Sequence, residues 1–204
     1  MSTSTPRTAY HHGDLRNALL AAGSEVAREV GSEELSLREV ARRAGVSHTA
    51  AYNHFADKND LLRGLAIAAF ERLTYELEQA ARSDDGVEEL AVAYLRFAMA
   101  NAAEFRFMFQ RSLCSPEGVP DPLEVAGRAA QGVLLERVMQ LQASGAIRSG
   151  DTNTLSLAIW SQIHGLTTIV LETPAFKSIS PDDAEQLARA GIRTLLVGAT
   201  ARQL

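Results

Sequence analysis

Ser36 to Phe55 reads SLREVARRAGVSHTAAYNHF, two helix starts separated by a glycine. Ser36-Leu37-Arg38-Glu39 is a capping box, in which the serine hydroxyl accepts the Glu39 amide proton and Glu39 reaches back to the Ser36 amide. Val40, Ala41 and Ala44 fall on one helical face, and the small side chains at 41 and 44 let a second helix cross closely. Gly45 suits a turn that needs positive φ, and Ser47 suits the N-cap of the next helix. There Ala51 and Phe55 point inward. His48, Thr49, Asn53 and His54 are left on faces a groove could meet, with Tyr52 between them. The pattern fits a helix-turn-helix whose second helix reads DNA, and taken alone it also fits a generic αα-hairpin.

Asp57-Lys58-Asn59-Asp60 marks a further helix start. A lysine in a first turn opposes the helix dipole, so Lys58 is expected to face a phosphate. With that lysine, Ala41 to Leu62 follows A-R-R-A-G-V-S-x-x-x-x-Y-x-H-F-x-x-K-x-x-L-L, and it resembles the DNA-binding domain of the TetR family of bacterial transcriptional regulators. Tyr10-His11-His12-Gly13-Asp14-Leu15-Arg16 resembles the opening of the group with a WHG-type C-terminal domain. Trp160-Ser161-Gln162-Ile163-His164-Gly165 carries that group's Trp-x-x-x-His-Gly signature.

The resemblance implies an all-α fold of about nine helices. A flexible arm (1–12) would precede a three-helix helix-turn-helix head (13–65), joined to a larger helical ligand-binding and dimerisation domain (66–204). It implies a cytoplasmic homodimer on a palindromic operator in double-stranded DNA, released by a small-molecule effector. Within it Tyr52 and Lys58 are assigned to phosphates, and His48, Thr49, Asn53 and His54 to base edges; Asn53 can pair bidentately with adenine and Thr49 can touch a thymine methyl. His54 fits an inner hydrogen-bonded role equally well. Ala50 and Ala51 are smaller than the residues often seen at these motif positions, which predicts one phosphate contact fewer and looser packing.

The chain has 204 residues, 46% of them hydrophobic and 22% charged, ordinary values for a globular protein with a real core. Its one cysteine, Cys114, allows no intramolecular disulfide, and neither a signal segment nor an uninterrupted membrane-length apolar run is read. The net charge of −5 lies entirely after Leu65, since cations and anions balance from Arg7 to Leu65. Ser36–Arg63 holds five cations against three anions. So mild a footprint leaves tight binding to base contacts and a second subunit, with recognition helices ~34–36 Å apart.

Helices are expected over 13–30 (apolar stripe Leu15, Leu19, Ala22, Val26, Val30, ended by Gly31), 59–82, 87–101, 103–111, 123–143, 152–171 and from Pro181. No alternating β pattern interrupts them. Arg7 in the arm could enter a minor groove or stay disordered. The 152–171 helix is apolar over more than one face, and the final helix sets Ala184, Ala188, Gly191 and Gly198 among apolar residues, which allows close helix approach; the resemblance implies that the two form a dimer interface, although closing a monomer core would use the same residues.

Phe97, Met99, Phe105, Phe107, Met108 and Phe109 crowd a short stretch, either as core or as the lining of a cavity for a hydrophobic or aromatic ligand. Trp160 and His164, one turn apart, could offer that ligand a stacking face and a hydrogen bond, or form a core pair. The five histidines lack zinc-site spacing, and no nucleophile elbow or phosphate loop is present, so no metal, cofactor or enzyme activity is expected. A ligand-independent DNA-organising dimer and, more remotely, a helical enzyme or small-molecule carrier remain alternatives to the ligand-released repressor.

Overall fold

The computed structural model describes residues 12–83, 86–114 and 121–200. Among them lie nine α-helices, two 3-10 turns and no strand. The all-α expectation therefore holds. The arm with Arg7 and most of the loop before Pro122 lie outside the described residues. The chain divides into two compact units, one ending at Leu65 and the other beginning at Ala66.

The first unit contains α1 (His12–Glu34), α2 (Leu37–Arg43), α3 (His48–Tyr52) and the start of α4 (Lys58–Ala80). Leu19, Ala22 and Val26 of α1 are buried, whereas Val30, placed on the same stripe by periodicity, is 44% exposed. The reason is Gly31, whose φ of 79° breaks the helix. Past that break Leu35 is buried instead. Leu35 and Val40 occupy the two staple positions around the Ser36 cap, and both are fully buried.

The Ser36 hydroxyl accepts the Glu39 amide proton at 3.3 Å. The other half of the predicted capping box does not form, because the Glu39 carboxylate takes two hydrogen bonds from Arg42, at 2.8 and 2.5 Å. A charged bidentate pair outcompetes a neutral amide. Gly45 (φ 68°) closes α2 with Gly45 N–H donating to the Arg42 carbonyl at 3.2 Å and Val46 N–H to Ala41 at 3.0 Å, a Schellman turn. The Ser47 hydroxyl then caps α3 through the Ala50 amide at 3.1 Å. Ala51 and Phe55 are buried beneath it, and Arg16 lies over the Phe55 ring, 5.2 Å from its centre. Tight closure here corrects the expectation of looser packing.

The second unit holds the rest of α4, then α5 (Val87–Ala100), α6 (Ala102–Met108), α7 (Pro122–Ala143), α8 (Thr152–Glu172) and α9 (Pro181–Thr200). Along α4, Ala69, Leu73 and Leu77 are buried. Helix α9 begins with a reciprocal cap in which the Ser180 hydroxyl accepts from the Asp183 amide at 3.1 Å and donates to its carboxylate at 2.7 Å. It runs antiparallel to α5, with Arg96 on Glu185 (2.5 Å), Arg189 on Glu89 and Arg193 on Glu88 (3.6 Å). These pairs are partly exposed and set register more than stability. Burial of Ala184, Ala188 and Ile192 supplies the packing.

The small residues at 184 and 188 therefore serve the close approach of α9 within its own chain. Leu187 and Val197 of α9, with Leu157 and Ile169 of α8, are the large apolar side chains these two helices leave exposed. Helix α8 is, by length and composition, apolar enough to cross a bilayer. Gln162 and His164 interrupt its apolar run without lowering its average enough to exclude that.

Phe55→Ala should destabilise the first unit by about 3–5 kcal/mol, since it opens a cavity under α3. Denaturant unfolding of the variant checks this, with Tyr52→Ala on the exposed face as a comparison expected to cost less than about 1 kcal/mol.

Candidate nucleic-acid interface and ligand cavity

Helix α3 presents one continuous exposed face. His48 and Tyr52, one turn apart, make an edge-on ring contact with centres 4.6 Å apart, and Thr49 and Asn53 stand beside them at the same spacing. All four are exposed, opposite buried Ala51. His54 lies past the helix end, half-buried, its amide donating to the Ala51 carbonyl at 3.0 Å. The structure thus brings four of the six predicted contacts onto one face and sets His54 at its edge.

Lys58 lies elsewhere. Its ammonium donates to the backbone carbonyl of Glu33, tying the start of α4 to the end of α1. The unfavourable dipole at a first turn is thereby offset by the negative carbonyl end of another helix, a partner that no local pattern reveals. Arg43 is likewise engaged, with two hydrogen bonds to Glu29 at 2.8 and 2.6 Å. Among the described residues, Arg38 in the first turn of α2 is exposed and has no hydrogen bond or ion pair. Sequence reasoning counted Arg38 only as charge; its distinction appears once the partners of the other cations are known.

The second unit holds a cavity of about 480 Å³, open to solvent on one side, between α4, α5, α6, α7 and α8. Phe70, Leu73 and Leu77 of α4, Tyr94 of α5 and residues of the Leu123–Leu134 stretch of α7, eleven helical rises or roughly 16 Å long, line it. Met108, Phe109 and Trp160, expected either as core or as lining, line it, whereas His164 does not. Phe105 stands behind Phe109, ring centres 5.3 Å apart. Phe97 does not reach the cavity. It precedes the bend at Asn101 between α5 and α6 and faces a separate groove with Glu76, Gln79 and Arg96.

Trp160 and His164 converge on Tyr94. The Tyr94 hydroxyl and His164 Nδ1 are hydrogen-bonded at 2.8 Å, and the His164 ring sits 4.6 Å from Phe109 and 5.5 Å from Trp160, centre to centre. Burial holds the Tyr94 hydroxyl far above its ordinary value, which the Trp160 indole offsets only in part. Burial also pushes the His164 imidazole below its ordinary 6.5. Both members of the pair are therefore neutral at pH 7. Among the described residues, no three His, Cys, Asp or Glu side chains gather as metal ligands do.

Residues 19–65 match the family of bacterial regulatory proteins, tetR family, and residues 87–195 match the tetracyclin repressor-like C-terminal domain. The chain belongs to the tetR family. This tetR-family chain is 33% identical over 102 residues, 48% of its length and 50% of the other's, to an uncharacterised HTH-type transcriptional regulator of Haemophilus influenzae. It is 27% identical over 127 residues to the HTH-type transcriptional activator FasR of Mycolicibacterium smegmatis, covering 60% of this chain and 58% of FasR. It thus spans little more than half the length of the curated relatives it matches. A solved structure of a protein with unknown function from a Rhodococcus species superposes with a TM-score of 0.78 at 32% identity, over 95% of this chain and 99% of that one. The tetR-family regulator PfmR from Thermus thermophilus shares the fold, with a TM-score of 0.64 at 23% identity over 88% and 97% of the two chains. The matched families and the Haemophilus, Mycolicibacterium and Thermus relatives are regulators.

The lowered His164 value has a consequence for stability. Between that value and 6.5 the unfolded chain binds a proton that the folded chain excludes, so stability falls as pH drops through 6.5. The melting-temperature advantage of wild type over His164→Gln should therefore shrink between pH 7.5 and 5.5, as thermal melts across that range would register.

Proposed function

We propose that this tetR-family protein is a DNA-binding transcriptional repressor that acts in the cytoplasm as a homodimer and leaves a palindromic operator when a small hydrophobic or aromatic molecule enters the cavity. The observation that carries the reading is the pairing, in one chain, of an exposed polar face on a capped helix with a separate apolar cavity. His48, Thr49 and Asn53 contact base edges, His54 reads from the rim, and Tyr52 and Arg38 hold phosphates. Lys58 serves the head's own packing through Glu33. The partner subunit covers the exposed Leu157 and Ile169 of α8 with Leu187 and Val197 of α9, an apolar patch suited to a two-fold interface. A DNA-organising dimer without a ligand would have no use for the cavity.

Selection of bound duplexes from a random pool should return a palindrome with half-sites about one helical turn apart. No enrichment, or enrichment of single half-sites, would sink the dimeric reading. FasR is named an activator, so the direction of regulation is read by transcription in vitro from a promoter carrying the selected site, where added protein should lower the yield.

Asn53→Ala should cost about 1–3 kcal/mol on the selected site and little on unrelated duplex; an equal loss on both would show that Asn53 reads no base. Arg38→Ala should reduce the slope of log affinity against log salt by about 0.9, one phosphate's worth. Lys58→Ala should leave that slope unchanged and lower unfolding stability by about 1 kcal/mol. Salt titrations of the two variants separate these roles.

A further inference from the structure

We propose that the cavity selects an uncharged, hydroxylated aromatic molecule, with its ring against Phe109 and Trp160 and its hydroxyl joined to the Tyr94–His164 pair. This rests on the ligand-release reading above and adds the chemistry of the ligand. The aromatic part follows from the walls: Phe70 meets Phe109 edge-on with centres 5.3 Å apart, and Phe109 and Trp160 lie 6.5 Å apart. A flat ring joins such a cluster by offset or edge-to-face contact.

The hydroxyl follows from the hydrogen bond of 2.8 Å between Tyr94 and His164. If the tyrosine donates, the pair keeps an imidazole N–H donor and the phenol oxygen as acceptor. If the imidazole donates, it keeps the phenol O–H and the other ring nitrogen. Tyr94, the member of the pair that lines the cavity, thus offers its oxygen as acceptor in the first case and its O–H as donor in the second, and a hydroxyl, which both donates and accepts, matches either.

Charge is selected against at both ends. Among the described residues Arg128 is the only cation on the lining; it is exposed, and Glu124 already pairs with it at 2.8 Å, so an incoming carboxylate meets Glu124 as well. Deeper in, a carboxylate would be stripped of water beside two neutral groups with no cation to meet it. The rings would attract a cation, yet the one carboxylate among the described lining residues is the same Glu124, held by Arg128 at the rim. A buried ammonium would be left without a counter-charge.

The test is calorimetric titration of the full-length protein at pH 7 with 2-naphthol, naphthalene, 2-naphthoate and trimethyl(2-naphthyl)ammonium, four probes sharing one ring system. Trp160, the chain's only tryptophan, lines the cavity, and its fluorescence reports whether a probe enters there. Expected is binding of 2-naphthol at least tenfold tighter than each of the other three, with Tyr94→Phe abolishing its advantage over naphthalene. Equal affinity for naphthalene and naphthol, or a charged probe that binds as tightly, overturns this inference and leaves ligand release standing. Failure of every probe to bind or to alter Trp160 emission overturns both. Should Tyr94→Phe not fold, as circular dichroism would reveal, the ranking of the four probes on the wild-type protein decides by itself.

Discussion

The exposed face of α3, proposed above to meet DNA, depends on the burial of Ala51 and Phe55 beneath a helix of five residues. A helix that short has no stability in water alone, because nucleation costs more than its few hydrogen bonds return. Its shape is imposed from outside: the Gly45 turn delivers the chain, Ser47 caps the first turn, and Phe55 pins the exit. The pin is tight, since a Cβ added at Gly64 would stand 3.0 Å from the Phe55 ring and 3.1 Å from Leu20. Glycine at 64 is thus what lets α4 approach so closely. His48, Thr49, Tyr52 and Asn53 are then presented as a preorganised face, and little ordering remains to be done on binding DNA.

The same unit is sparing with its charge. Arg42 is held by Glu39, Arg43 by Glu29, and Lys58 by the Glu33 carbonyl. The exposed pairs contribute little to stability individually, but Arg43 crosses from α2 to α1 and fixes how the motif sits on its support. The consequence is a weak long-range field. Non-specific affinity for DNA scales with the number of phosphates neutralised, so a head whose cations are spent internally discriminates between sequences more than it clings to any duplex. That economy fits the acidic remainder of the chain and makes two linked heads more valuable than one.

What could be read from the sequence was what local rules decide. The caps at Ser36, Ser47 and Ser180 and the turn at Gly45 each involve partners within five residues and each forms, the Ser36 box in its serine half alone. The misreadings share a different cause. Val30 continues the apolar period of α1, but the break at Gly31 transfers its burial to Leu35. Phe97 belongs to the same aromatic run as Phe105 and Phe109, yet the bend at Asn101 turns the run into two groups that face different spaces. Lys58 finds a carbonyl 25 residues away. Periodicity and composition carry no information about where a chain reverses, and each of these positions lies beside a reversal or depends on one.

The Trp-x-x-x-His spacing on α8 acquires a physical meaning from Tyr94. Four residues place both rings on one side of the helix, and α5 meets that side with a hydroxyl that the histidine satisfies. The mutual hydrogen bond gives each group one partner within the chain, so folding of the second unit does not depend on a guest. A sensor requires this, because a site whose buried polar groups depended on its ligand would be unstable in the form that holds DNA. The same helix exposes Leu157 and Ile169, the side chains assigned above to the partner subunit. A guest that changes the contacts of Trp160 or His164 acts on the element that carries this surface. Coupling between ligand and dimer then needs only a small difference in how α8 packs in its two states, since a tenfold effect on affinity corresponds to about 1.4 kcal/mol.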